Sequence, residues 1–168
     1  GPTLATMRAA DRLVGLHDRV HLDIPEQFGS KLHIIYQSCL APRQPRKPTG
    51  RSFKVCVVGH LRDEKDPLRA AYAARLMPRD SRLQIVHLGA AHSPDWADAA
   101  RAEARDNPRY EWRGPLPAWQ VRGFYARCHA MVISSVMEGG ANVVTEAIVA
   151  GLPVIASDIS GNRGLLGE

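Results

Sequence analysis

Two glutamates, Glu138 and Glu146, stand eight positions apart in the stretch SSVMEGGANVVTEAIVAGLPVIAS, residues 134–157. Between them lie Gly139, Gly140, Ala141, Asn142 and Val143, and then an apolar run. An ionised carboxylate only accepts hydrogen bonds, so it pairs well with vicinal hydroxyls. The small residues at 139–141 let backbone N–H groups come close to a ligand. Asn142 is expected to cap the helix that follows, and exposed amides at a helix start receive anions or hydroxyls. Eight helical residues span about 12 Å. Two carboxylates at that distance could grip both ends of an extended ligand, with the amides holding its middle. The plainer alternative is a turn acid followed by a surface helix residue.

A second loop, GHLRDEKDP at 59–67, follows a strand-like run. Gly59 permits close backbone approach, and His60, Arg62 and Lys65 place cationic donors within six residues, which suits a diphosphate. It is not a P-loop, which ends in Gly-Lys-Ser/Thr, nor a GxGxxG turn, so a dinucleotide redox cofactor is disfavoured. Read alone, the loop is also compatible with a solvated turn in which Asp63, Glu64 and Asp66 balance the bases. Together the two loops match the reach of an extended nucleotide sugar, phosphates in the middle and hydroxyls at both ends.

These loops need a scaffold, and the chain after residue 51 supplies one. Apolar runs at 52–59, 82–89, 109–114, 130–135 and 153–157 read as strands. Amphipathic stretches at 67–77, 94–106, 117–128 and 142–150 read as helices between them, with Gly123 a weak point and Gly151 a stop. Continuous apolar strands separated by helices imply an α/β fold, a Rossmann-like doubly wound parallel sheet. Ligands of such sheets bind beyond the carboxyl ends of the strands, where both loops fall. Before residue 46, helix, strand, helix and strand are expected in turn, the second helix over 19–29. They are too little to close a sheet, so residues 1–45 read as a fragment of a preceding domain. The basic stretch APRQPRKPTGR, 41–51, reads as a solvated linker centred on 46–51. The leading Gly-Pro reads as a scar of a cleaved tag, and the end at Glu168 as an incomplete domain.

Composition narrows the classes. The 168 residues are 45% hydrophobic and 23% charged, ordinary globular usage. The net charge of +5 favours anionic partners, but aromatics are only 6% and do not interleave with a basic face, which argues against nucleic acid. No apolar run reaches the length of a membrane span, and the first residues lack the order of a signal peptide. Three separated cysteines, Cys39, Cys56 and Cys128, read as reduced thiols in the cytoplasm. Weaker candidates are His17 and His21, spaced like metal ligands but read as an exposed helix face. Cys128 beside His129 reads as structural, since adjacent helix residues do not face each other. Trp112 fits either a base pocket or the core. Asp158, Ser160 and Asn162 follow the last strand and face the same edge.

EGGANVVTEAIVAGLPVIAS resembles the E-x7-E element of GT-B glycosyltransferases, the large family that includes sucrose- and glycogen-synthase-like enzymes. VGHLRDEKDP is similar to that family's G-R-L-x-x-x-K phosphate loop, in the right order and after the right strands. The resemblance covers residues 52–168, the nucleotide-sugar-binding domain, with 1–45 as the tail of the acceptor-side domain. It implies that Lys65 binds the diphosphate, Glu138 the hexose hydroxyls, the amides from Gly139 to Val143 the sugar and phosphate, and Glu146 the ribose. His60 stands where the family usually has arginine, leaving open whether it or Arg62 brings the second charge. No metal or other cofactor is expected, for such enzymes need no Asp-x-Asp. Their catalysis supports the departing diphosphate electrostatically. VGHLRDEKDP, MEGGANVV and GLLG further resemble the selenosugar synthases of selenoneine biosynthesis. That implies a UDP-sugar donor, UDP-N-acetylglucosamine, and selenophosphate as acceptor. The alternatives are an ordinary hydroxyl acceptor, a nucleotide-sugar epimerase or hydrolase, and a non-catalytic module that keeps the fold.

Overall fold

The computed structural model describes residues 1–42, 45–48 and 50–167. Arg43, Gln44 and Thr49 of the basic stretch, and Glu168, lie outside the described residues. In chain order come α1 (Pro2–Ala9), β1 (Leu13–Gly15), two 3-10 segments (Asp18–Leu22 and Glu26–Lys31) and β2 (Leu32–Ile34). Then follow β3 (Phe53–Val58), a 3-10 turn (Asp63–Lys65), α2 (Arg69–Arg75), β4 (Leu83–Leu88), α3 (Pro94–Asp106) and β5 (Tyr110–Trp112). The chain continues with α4 (Ala118–Arg127), β6 (Ala130–Ile133), α5 (Asn142–Val149), β7 (Val154–Ala156) and α6 (Ser160–Leu166).

Five strands form one parallel sheet in the order β5-β4-β3-β6-β7. The period of two along β3 explains how it is clothed on both sides. Val55 and Val57 enter a cluster with Ala71, Ala74 and Ala100 of α2 and α3. Cys56 faces the other way, into a cluster with Tyr125, Val144 and Ala147 of α4 and α5. Helices therefore cover both faces, as the alternation of apolar runs implies. β3 pairs with β4 on one side and with β6 on the other. The strand order reverses between β3 and β6, and a crevice opens at such a switch point. The loops that leave β3 and β6 are the two singled out by their chemistry.

Several elements differ from expectation, each for a physical reason. The helix expected over 19–29 is two 3-10 segments, because Pro25 removes a donor and restricts the residue before it. α2 starts at Arg69 rather than 67, after Asp66 turns the chain with φ 41°. β6 stops at Ile133 because Ser134 turns away and donates to the carbonyl of Asp66 at 2.9 Å. α6 was not expected at all: Gly161 and Gly164 are poor helix formers. Packing requires them, since a Cβ on Gly164 would lie 2.5 Å from Nδ1 of His17. The basic stretch is not merely solvated. The backbone N–H of Lys47 donates to the carbonyl of Ala126 at 2.9 Å, and the Arg46 guanidinium donates to that of Cys128 at 3.0 Å, a cation meeting the end of α4. β1 and β2 form a separate parallel pair. Among the described residues no helix is long and apolar enough to cross a membrane.

Candidate functional site

The loop after β3 begins under a tether. His87 of β4 is fully buried, and its Nε2 donates to the carbonyl of Gly59 at 3.1 Å while its Nδ1 accepts from the hydroxyl of Tyr110 at 3.0 Å. Burial pushes its pKa down to about 4, against a smaller raising effect of the bond to Gly59, so the ring is neutral. Gly89 closes the same corner: a Cβ there would stand 1.9 Å from the oxygen of Gly59. His60 accepts from the N–H of Ala90 through Nδ1 at 3.1 Å and stacks on His92 with centroids 4.9 Å apart. Arg62 and Lys65 line the same cavity as His60.

The loop after β6 turns back toward them. Lys65 Nζ forms an ion pair with Oε1 of Glu138, which also accepts from Ser135 Oγ at 2.5 Å. Both charged side chains are largely buried, at 19% and 9% exposure, so this pair is screened little by solvent. A relay behind it was not legible in the sequence: Asn162 donates to Ser157 at 3.0 Å, and Ser157 donates to the carbonyl of Ser135. Gly161 lies so close that a Cβ would meet the carbonyl oxygen of Glu138 at 2.1 Å. Gly161→Ala should consequently displace the Glu138 loop and lower stability by about 1–3 kcal/mol. Gly123→Ala is the control, since its Cβ would meet only the tip of Arg127 at 3.9 Å, and it should stabilise α4 by up to about 1 kcal/mol. Melting of the two variants checks this; an unchanged Gly161→Ala would mean the contact is soft.

Two cavities meet at the Lys65–Glu138 pair. One, of about 300 Å³, is lined by Gly59, His60, Arg62 and Lys65, by Ala141, Asn142 and Val143, and by an apolar wall of Pro115, Leu116 and Val121. The other, of about 570 Å³, is lined by Glu138 and Gly139, by Leu16 and His17, and by Ser160 and Gly161. Sequence reasoning missed the apolar wall, because Pro115 and Leu116 lie in a loop without periodic pattern and Val121 of α4 cannot be told from a core residue by its spacing. Gly140 lines neither cavity: its φ is +126°, and a Cβ would strike Leu16 at 2.5 Å. Its small size makes room for the segment from β1, in addition to freeing the loop.

Glu146 is also outside both cavities. It lies in the second turn of α5, beside a narrow cleft shared with Cys39, Arg122 and Tyr125. Asn142 Nδ2 donates to its Oε1 at 3.3 Å, and Asn142 itself lines the smaller cavity. Asn142 is thus the first residue of α5 rather than its cap; Ala141 holds the cap position, without a side-chain bond. Only half of the span between the two glutamates is helical, so the 12 Å estimate does not apply as made.

The weaker candidates separate cleanly. His17 is buried against α6 rather than on an exposed helix face, and His21 is exposed, bonded to the carbonyl of Asp18 at 2.8 Å. Among the described residues no group of three His, Cys, Asp or Glu comes together. Cys128 lies in the core, while His129 stacks on Phe53 and accepts from the N–H of Lys54. Trp112 packs on the core and donates to the carbonyl of Gly89 at 2.9 Å, lining neither cavity. Asp158 is paired with Arg163 on the surface.

Residues 42–168 match the model of the family described as Glycosyl transferases group 1. Similar solved structures include Anabaena Alr3699/HepE in complex with UDP and glucose, with TM-score 0.72 and 16% identity over 99% of this chain and 50% of that one. The pneumococcal O-GlcNAc transferase GtfA in complex with UDP and GlcNAc matches with TM-score 0.66 and 22% identity, over 94% of this chain and 32% of that one. The apo form of the lipopolysaccharide outer core galactosyltransferase WaaB matches with TM-score 0.67 and 21% identity, over 89% and 43%. At these identities the structural likeness establishes the fold, and the chain spans a third to a half of the length of these neighbours. The family match covers most of the sequence, and the chain belongs to the Glycosyl transferases group 1 family.

Proposed function

We propose that this chain forms the donor-binding half of a glycosyltransferase that uses a UDP-sugar. The observation that carries the reading is the meeting of Lys65 and Glu138 at the switch point, between a cavity with phosphate-loop and apolar walls and a second, larger one. HepE and GtfA were solved with UDP and a sugar, which supports UDP as the nucleotide. Lys65 and Arg62 bind the diphosphate, and the wall of Pro115, Leu116 and Val121 takes the base. The amides from Gly139 to Val143 contact the sugar and phosphate, Glu138 holds the hexose hydroxyls, and Glu146 holds the ribose. Residues 1–45 belong to the acceptor-side domain, joined through 46–51. The three thiols are free, in keeping with a cytoplasmic site of action. The donor sugar is N-acetylglucosamine and the acceptor selenophosphate, giving a selenosugar; this rests on the likeness of VGHLRDEKDP, MEGGANVV and GLLG to the selenosugar synthases.

Calorimetric titration of the full-length protein with UDP and UDP-N-acetylglucosamine tests the donor reading. Glu146→Ala should weaken both ligands roughly tenfold, the scale of a hydrogen bond to a charged group. Glu138→Ala should weaken the sugar nucleotide more than UDP, and equal losses would contradict its role. A protein that binds no UDP is a non-catalytic module that keeps the fold. Mass spectrometry after incubation with selenophosphate then tests the acceptor: a selenium-bearing sugar and released UDP are expected.

A further inference from the structure

Tyr125 lies in the last turn of α4 with its ring in the core, 1% exposed. Its hydroxyl donates to Oε2 of Glu146 at 3.0 Å, while Asn142 Nδ2 holds Oε1 from the other side. Burial, and then the charge of Glu146, push the phenol well above its ordinary pKa, so it remains a donor. A carboxylate offers about four acceptor directions. Tyr125 and Asn142 take two of them, and two remain for a pair of hydroxyls. A packed ring fixes where its O–H points, and that direction sets the plane of the carboxylate. Asn142 completes the connection, because it both lines the smaller cavity and binds Glu146.

We propose that Tyr125 is a positioning residue for ribose recognition: its buried hydroxyl orients the Glu146 carboxylate toward the 2′- and 3′-hydroxyls of the nucleotide. This rests on the reading of Glu146 as the ribose contact. Tyr125 never touches the ligand, so its influence must vanish when the hydroxyls or Glu146 are removed. A tyrosine that only fills the core would act on every ligand alike.

The experiment titrates UDP and 2′,3′-dideoxy-UDP into full-length wild type, Tyr125→Phe, Glu146→Ala and the double variant. Phenylalanine keeps the ring in the core, and a melting curve of each variant checks the fold. Tyr125→Phe should raise the Kd of UDP by about 5- to 10-fold, on the scale of a hydrogen bond to a charged group. It should change dideoxy-UDP by less than about twofold. In the Glu146→Ala background it should add nothing. Equal losses on both ligands, or no loss on either, would overturn the proposal while leaving Glu146 in place if wild type still prefers UDP and Glu146→Ala abolishes that preference. A wild type that binds both ligands equally well would overturn the ribose reading itself, and the role of Tyr125 with it.

Discussion

Lys65→Ala should lower kcat/KM with a UDP-sugar by 10²- to 10³-fold, roughly the cost of removing one preorganised donor from a site of developing charge. Lys65 is held by Glu138 in a largely buried setting, so its long side chain is already ordered. A diphosphate entering the cavity lined by Gly59, His60, Arg62 and Lys65 meets that ammonium without a further ordering cost. Charge on the diphosphate grows as the sugar–phosphate bond breaks, so the interaction strengthens in the transition state and appears in kcat. Binding should suffer less: the Kd of UDP should rise by roughly 10- to 100-fold, as for other hydrogen bonds to charged groups. Uridine, which has no phosphate, should bind the variant as it binds wild type. If uridine weakens as much as UDP, Lys65 supports the loop through Glu138 and does not contact phosphate. Lys65→Arg separates charge from shape: it should recover binding more than turnover, because a planar fork replaces a compact ammonium.

The sequence carried the scaffold well and the supports of the site poorly, for one physical reason. Alternating apolar strands and helices are local patterns, and all five strands of the main sheet lie where the apolar runs place them. The glycine-flanked loops, too, are local, and the fold brings Lys65 and Glu138 together across 73 positions because both leave adjacent strands at their carboxyl ends. What holds these groups in place comes from elsewhere. Tyr125 reaches Glu146 from 21 residues upstream, and Asn162 supports Glu138 through two serines. Such partners show no spacing rule, since only packing of distant helices brings them near. The glycines of α6 show the same limit. Their cost in helix propensity is local and visible, whereas the close approach that demands them involves His17 and Glu138.

His87 should make the protein lose stability as the pH falls from about 6.5 to about 4, by about 3 kcal/mol in total at roughly 1.4 kcal/mol per pH unit. In the folded protein the buried ring takes up a proton only near pH 4, whereas in the unfolded chain it does so near its ordinary value of 6.5. Between those values the unfolded state binds more protons, so acid favours unfolding. Above 6.5 both states are neutral and the contribution is complete; below 4 the loss is complete. Glu103 and Asp158 are held below their ordinary values of 4.5 and 3.8, with burial opposing Arg75 and Asn107 at Glu103, and the bond to Arg163 leading at Asp158. Their contributions begin to fade only as the pH falls through 4.5 and 3.8, so denaturant midpoints measured between pH 5 and 7.5 isolate the histidine. His87→Gln keeps a donor for the carbonyl of Gly59 and an acceptor for Tyr110, and lacks the titration. Its stability should be nearly flat over that range, with a loss of about 1–2 kcal/mol at pH 7.5 for imperfect packing. An acid slope unchanged in the variant would assign the effect to another group. Because the same imidazole tethers Gly59, the first residue of the loop after β3, protonation also removes the acceptor that Tyr110 uses and loosens that corner. The affinity of wild type for UDP should then fall with stability below pH 5, and the glutamine variant should lack that part of the decline.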